Sequence, residues 1–312
     1  MSPSNKRTQS AARKAPAARR QQGKPQASAR QAQTAPARAG ASNRVWWIGG
    51  AVAVVIAVAI IIAVVGSGSS SKKSSNTTDT LVPKYGRSPA PVSLVNSVTS
   101  VPTSVINKVG LGSGKLPQKI SDVSLGTATK PDVLFVGAEF CPFCAAERWA
   151  LVNSLSRFGT FSGLQVTHSS ATDSYANTET FSFHGSTFAS PYLTFSPVET
   201  TTNQPSNGSY EPLDTPSNQQ GQLWQKYTGG GVPFIYFNGK FVATATYDPG
   251  VLANKTHAEI AAALHDPSSA VAKGAVGTAN AMTAAICTLT NNKPATACNV
   301  PAITALQAQL RG

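Results

Sequence analysis

The sequence predicts an α/β domain held behind one membrane-spanning helix, and three observations carry that expectation. Residues 45–65 read VWWIGGAVAVVIAVAIIIAVV, an apolar run without a charge. Further along, the short apolar stretch Val133-Leu134-Phe135-Val136 leads into Cys141-Pro142-Phe143-Cys144 and then into a helical pattern. Later, two apolar runs flank Asn238-Gly239, which marks a hairpin because a type I′ turn needs positive φ at both central residues. Strand, helix and hairpin in that order describe an open sheet with helices against it.

The N-terminal segment is of another kind. Residues 1–44 hold ten Lys or Arg, no acid, and otherwise mostly Ala, Gln, Ser and Pro. Such a stretch has too little apolar surface to offset the entropy of ordering its backbone, so a disordered basic cytoplasmic arm is expected. The remaining 16 basic and 13 acidic residues leave the rest of the chain only mildly basic, so ten of the thirteen net positive charges belong to the arm. An arm of this charge can meet nucleic acid or anionic lipid heads. The apolar run that follows at once favours lipid, and no nucleic-acid partner is expected.

At 1.5 Å per residue the apolar run spans about 31 Å as a helix, the thickness of a hydrocarbon core. Trp46 and Trp47 stand at its basic end, where indoles favour the interface. Positive charge concentrated before the span places the N-terminus in the cytoplasm and the C-terminal part outside, in a single-pass protein of the cell membrane. The run is longer than a signal-peptide core and no clear small-x-small site follows it, so an anchor is favoured over a cleaved leader.

Residues 66–80 form a flexible linker rich in Ser, with an end-to-end distance on the order of 20 Å. The extracytoplasmic domain is expected over residues 81–312. Val95, Val98, Val101, Val105 and Val109 recur at helical spacing, with Pro102 as a break. Residues 133–136 fit a buried central strand. After the cysteines, Trp149, Val152 and Leu155 share one helical face, with Gly159 as a C′ residue. Leu164, Val166 and His168 suggest a further strand, and residues 203–221 a polar excursion on the surface. Thr256 and Glu259 have capping-box spacing, Ile260 and Leu264 form an apolar face, and Pro267 ends that helix. No internal repeat is apparent.

Two cysteines separated by two residues at a helix start serve redox exchange, half a metal site, or a static disulfide. Zinc needs four ligands, and the nearest histidines, His168 and His184, are isolated. A static bond is poorly motivated where free N–H groups and the helix dipole favour a thiolate. Redox exchange is therefore favoured, with no metal and no cofactor expected.

GAEFCPFC after an apolar strand, followed some ninety residues later by YTGGGVPFIYFNGKF, resembles the active site, cis-proline loop and hairpin of the thioredoxin-like superfamily. More narrowly, GAEFCPFCAAERWALVNSLSRFGTFSG, FSFHGSTFASPYLTFSPVE and AICTLTNNKPATAC resemble a prokaryotic family of membrane-anchored thioredoxin-like proteins catalogued as a domain of unknown function. That likeness covers most of residues 81–300. It implies a thioredoxin-like fold with an insertion and a C-terminal helical extension. It also implies a cis Val232-Pro233 bond that lies against the active site and presents backbone to a substrate.

The departures are informative. Thioredoxin has a buried acid six residues before its first active-site cysteine, where this chain has Phe135. Oxidising periplasmic relatives have His between the cysteines, where this chain has Pro142-Phe143. A phenyl group supplies no charge or hydrogen bond to a thiolate, so a less oxidising couple is expected. Glu139, two residues before Cys141, is a candidate proton relay and otherwise an ordinary polar flank.

These readings predict an oxidoreductase that exchanges disulfides with client proteins. Cys141 is the nucleophile and Cys144 the resolving thiol, Val232 and Pro233 hold the client strand, and a membrane redox partner is a further candidate. The long stretch between the active-site helix and Pro233 suggests an inserted subdomain that shapes the client groove. The rivals are a non-catalytic binding module for an envelope partner and a peroxide-reducing thiol enzyme, which usually needs a Thr or Arg arranged around one cysteine. Cys287 and Cys298 are expected to form a structural disulfide, with a second, relaying redox pair as the alternative. Protease added to spheroplasts should digest residues 81–312 and leave a small N-terminal fragment; a protected C-terminal domain on an immunoblot would reverse the topology.

Overall fold

Four consecutive apolar residues are buried on both faces only in the middle of a sheet, and residues 133–136 take that place. In the computed structural model, which describes residues 81–311, all four are fully buried. The basic arm, the apolar run 45–65 and the linker 66–80 lie outside the described residues. Among the described residues, no helix is long and apolar enough to cross a membrane.

The described chain begins with β1 (Ser88–Pro89), α1 (Val92–Thr99) and α2 (Thr103–Val109), the two helices separated around Pro102. Next come β2 (Gln118–Lys119), β3 (Asp132–Gly137) and α3 (Pro142–Leu155). Four short strands follow, β4 (Thr160–Ser162), β5 (Gln165–His168), β6 (Glu179–Ser182) and β7 (Thr187–Ala189). Then β8 (Thr194–Glu199) precedes the pair β9 (Thr201–Ser206) and β10 (Ser209–Pro212), α4 (Asn218–Thr228), and the strands β11 (Phe234–Phe237) and β12 (Phe241–Ala243). Helices α5 (His257–Ala263), α6 (Gly277–Leu289), α7 (Ala295–Cys298) and α8 (Pro301–Arg311) complete it.

The fold is mixed α/β, and its main sheet is itself mixed, in the order β2-β12-β11-β3-β8. β3 runs parallel to β8, with Phe135 opposite Pro197, and antiparallel to β11, with Phe135 opposite Ile235. The period-2 alternation of strands divides the sheet's side chains between two cores. Val133, Phe135, Ile235 and Phe237 join the larger core with α3, α5 and α6. Leu134, Val136, Phe234 and Tyr236 face a smaller one with Leu223 of α4. The β11–β12 turn has φ of 43° at Asn238 and 78° at Gly239, the left-handed pair that the sequence demanded. A side chain at Gly239 would also collide with the Asp122 carbonyl.

One local expectation needs correction and two gain detail. Residues 203–221 lie mostly at the surface as expected, and they complete the β9–β10 hairpin, turn at Asn207-Gly208 and open α4. Gly159 is not a helix terminator: α3 ends at Leu155 with Ser156 as its cap. Gly159 is small for another reason, since a Cβ there would strike the Ala189 carbonyl. Finally, α3 has no solvent face apart from Phe143, because α1, β6 and α6 surround it. Its polar residues are therefore paired inside, Asn153 donating to the Val98 carbonyl at 2.8 Å and Ser154 lying 3.0 Å from the Thr283 hydroxyl.

The close approach of α6 to α3 follows from α6's small residues, among them Ala279, Ala281, Ala284 and Ala285, all fully buried. Cys287 and Cys298 are disulfide-bonded, with Cα atoms 5.6 Å apart, and the bond ties the end of α6 to α7. Gln307 of α8 donates to Asn292 within the closed loop at 2.7 Å. In the chain-entropy treatment a loop of this length contributes about 2.5–3 kcal/mol. Replacing both Cys287 and Cys298 by Ser should lower unfolding free energy by about that amount in denaturant titration. In graded thiol buffers this bond should stay closed where Cys141 and Cys144 are already reduced.

Candidate active site

The site grows from the junction of β3 and α3. Gly137, Ala138, Glu139 and Phe140 carry the chain from the sheet's centre to Cys141, the N-cap of α3. Cys141 has φ of −82° and ψ of 121°, and its Sγ accepts the Cys144 N–H at 3.3 Å. Pro142 stands in the first turn, where a missing N–H leaves no bond unmade. Helix periodicity then puts Cys144 one turn inside, where it is fully buried while Cys141 is 6% exposed.

Both cysteines are free thiols, and their environments push them apart. Hydrogen bonding from the Cys144 side chain and backbone, with the nearby Arg148 cation, holds the Cys141 thiol below its ordinary pKa against the opposing effect of burial. Burial, together with the neighbouring Cys141 sulfur, holds Cys144 well above its ordinary value. The first sulfur is thus the more readily ionised of the two.

The Val232-Pro233 peptide bond is cis, and the Val232 carbonyl lies 4.0 Å from Cys141 Sγ. The sequence places these residues 91 positions apart, and β11, paired to β3, brings them together. Residues of the long stretch before Pro233 form the rim: Tyr210 stacks on Phe140 with centroids 4.2 Å apart, and Tyr175 meets the exposed Phe143 edge-on at 6.2 Å.

Glu139 is fully buried, and its carboxylate accepts from Arg87 at 2.8 and 2.9 Å and from the Ser182 hydroxyl at 2.5 Å. Burial raises its pKa despite those partners. It therefore stands in an ion-pair cluster at the end of β3, not in hydrogen-bond contact with either sulfur.

Sequence reading missed Arg148, which is fully buried on α3. It forms a forked ion pair with Glu199 of β8, Nε to Oε1 at 2.9 Å and Nη2 to Oε2 at 2.7 Å. Nη2 also donates at 2.8 Å to the Ala138 carbonyl, which accepts the Cys141 N–H at 3.2 Å. The guanidinium lies 5.7 Å from the Phe135 ring centroid, so Phe135 supplies a π face where an acid was noted as absent. The signal was present: Cys141, Cys144 and Arg148 fall at i, i+3 and i+7, one helical face. Glu199 had no such signal.

Glu147 is a second buried acid of α3. Its Oε1 accepts the Thr246 N–H at 2.6 Å and lies 2.7 Å from the Thr246 hydroxyl, and burial pushes its pKa up to about 8. A groove of about 500 Å³ between α1 and residues 159–164 carries no cysteine, histidine or acid and lies apart from this site. Among the described residues, no group of three or more His, Cys, Asp or Glu could hold a metal ion. His168 sits between backbone carbonyls of Pro83, Lys84 and Ser169, and His184 pairs with Asp214 at 2.7 Å.

Since Glu147 is neutral in the folded protein and ionises near 4.5 when unfolded, its contribution is full below about pH 4.5 and is lost as pH rises through about 8. The size is on the order of a few kcal/mol. Glu147→Gln should remove this dependence, so the variant gains on the wild type between pH 5 and pH 8 in chemical denaturation. Parallel stability curves would show that the carboxyl is not held neutral.

A family described as Domain of unknown function (DUF929) matches residues 117–288, more than half of the chain, and spans Cys141, Cys144, the cis-proline and Cys287. No curated protein and no solved structure matches the chain.

Proposed function

The chain belongs to the DUF929 family, and we propose that it is a thioredoxin-like thiol-disulfide oxidoreductase, anchored in the cell membrane with its domain outside. The observation that carries the reading is the unequal cysteine pair: Cys141, at the N-cap of α3, is the more acidic, and Cys144, one turn in, is the less. Three further features support the thioredoxin-like assignment. The central strand runs into the cysteine-bearing helix and pairs in parallel with the next main-sheet strand. A hairpin lies antiparallel on its other side, and a cis-proline opens that hairpin beside Cys141. The basic arm and the apolar run support the anchor and the outward domain.

In the reducing direction, the Cys141 thiolate attacks one sulfur of a client disulfide. That bond breaks, the leaving client sulfur takes a proton, and a mixed disulfide remains. Cys144 then loses its proton and attacks Cys141 Sγ. The second client thiol leaves, and the protein holds the Cys141–Cys144 disulfide. Two electrons have passed to the client, and the reverse sequence oxidises a client dithiol. The Val232 carbonyl, pointing at the reacting sulfur, offers an acceptor to the backbone of a client strand. The raised Cys144 pKa means that the resolving step needs a base. Glu139 is the candidate relay, and with its carboxylate held by Arg87 and Ser182 and no hydrogen bond to either sulfur it would act through water. Client proteins, and a membrane partner that resets the couple, are the expected associations.

Cys144→Ala keeps the nucleophile and removes the resolving thiol, so it should accumulate mixed disulfides that reductant releases on non-reducing gels. Cys141→Ala should not. Absence of trapped species from both variants, beside a wild-type pair that fails to titrate with thiol buffers, would sink the oxidoreductase reading.

A further inference from the structure

Buried arginine has to be accounted for, because desolvating a guanidinium is costly and only well-made partners offset it. Arg148 is satisfied only in part. Its Nε and Nη2 are held by Glu199 and Ala138, while Nη1 is buried with no hydrogen-bond partner among the described residues. An orphaned buried donor is destabilising, so the place of this cation needs a reason other than stability.

The reason lies in what Arg148 holds. One carbonyl, Ala138's, accepts both the Arg148 Nη2 and the Cys141 N–H, so the cation fixes the peptide from which the nucleophile hangs. Arg148 also follows Cys144 at i+4, stacked on the same helix face. The position that would otherwise bring a carboxyl under the cysteines is Phe135, whose ring faces the guanidinium and carries no charge to cancel it.

We propose that Arg148 is the positioning residue of the cysteine pair, the buried cation that orients Cys141 through Ala138 and lends the sulfur pair the positive potential that favours the thiolate. This rests on reading Cys141 and Cys144 as a redox pair. The charged groups around the pair come from several elements. Glu199 of β8 neutralises part of the Arg148 charge, Glu139 at the end of β3 is neutralised by Arg87, and Cys144 lies on α3 itself. Glu199 is in turn fixed by the Phe183 N–H at 3.2 Å, and its own N–H donates to Asp214 at 3.0 Å. The anion is therefore anchored from two sides and the cation follows it. The Cys141 thiol is held below its ordinary pKa chiefly by hydrogen bonding from Cys144, and the Arg148 charge acts in the same direction.

The test is the pH midpoint for alkylation of Cys141, followed by peptide mass spectrometry in the reduced full-length protein. Removing Arg148 alone would strand the Glu199 charge, so the cation is removed with its partner in Arg148→Met/Glu199→Gln, a neutral pair of similar volume. Arg148→Lys keeps the charge without the fork. The double variant should raise the midpoint by about one pH unit, roughly tenfold less thiolate at neutral pH, while Arg148→Lys should lie closer to the wild type. A double variant that keeps the cooperative unfolding and the midpoint of the wild type overturns the proposal. So does an Arg148→Lys midpoint displaced as far as the double variant's, since that would mark a packing role without charge. Neither outcome touches the oxidoreductase reading, which depends on trapping by Cys144→Ala.

Discussion

A helix surrounded on every side cannot turn about its axis, and α3 is such a helix. Every residue from Cys144 to Leu155 is buried, against α1 on one side, β6 and α6 on others. Large side chains such as Trp149, Leu151 and Leu155 each contribute about 1.5–3 kcal/mol by leaving water. They hold the rotation of the helix, and with it the positions of Cys141 and Cys144. The chemistry at the helix start inherits its geometry from this packing.

The same enclosure explains the density of buried polar groups near the site. Once α3 was covered, every charge on it needed a partner within the protein. Arg148 found Glu199, and Glu147 meets only Thr246 and becomes neutral. These groups add little to stability compared with apolar residues of their size. The two thiols differ chiefly because Cys144 is fully buried and hydrogen-bonds to Cys141, and the Arg148 charge adds to the lowering at Cys141.

The long segment between α3 and β11 is made mostly of short strands, and its service to the site is indirect. It brings β8 beside β3, which supplies Glu199, and it carries Tyr175 and Tyr210 to the rim. The disulfide-closed end of α6, distant in sequence, acts through packing: α6's small residues let it lie close to α3 and complete the enclosure.

Much of this was legible in the residues themselves. The apolar run 133–136, the Asn238-Gly239 turn, the capping box at Thr256 and Glu259 and the cysteine spacing are local signals, because each reports a backbone geometry that nearby side chains alone dictate. The neighbourhood of Val232-Pro233 and Cys141 was legible only through likeness to a family. What the tertiary structure decided was longer in range. Local pattern marked one apolar face of α3 and read residues 203–221 as a surface excursion; packed elements bury the other faces of the first as well, and the second lies at the surface as a hairpin and a helix start. The pairing of Arg148 with a carboxylate 51 residues away could not be read from sequence, because it depends on β3 and β8 being adjacent parallel strands. The sequence by itself determined where the cysteines start their helix; the fold alone decided which charges that helix is buried with, since burial is a property of all the elements together.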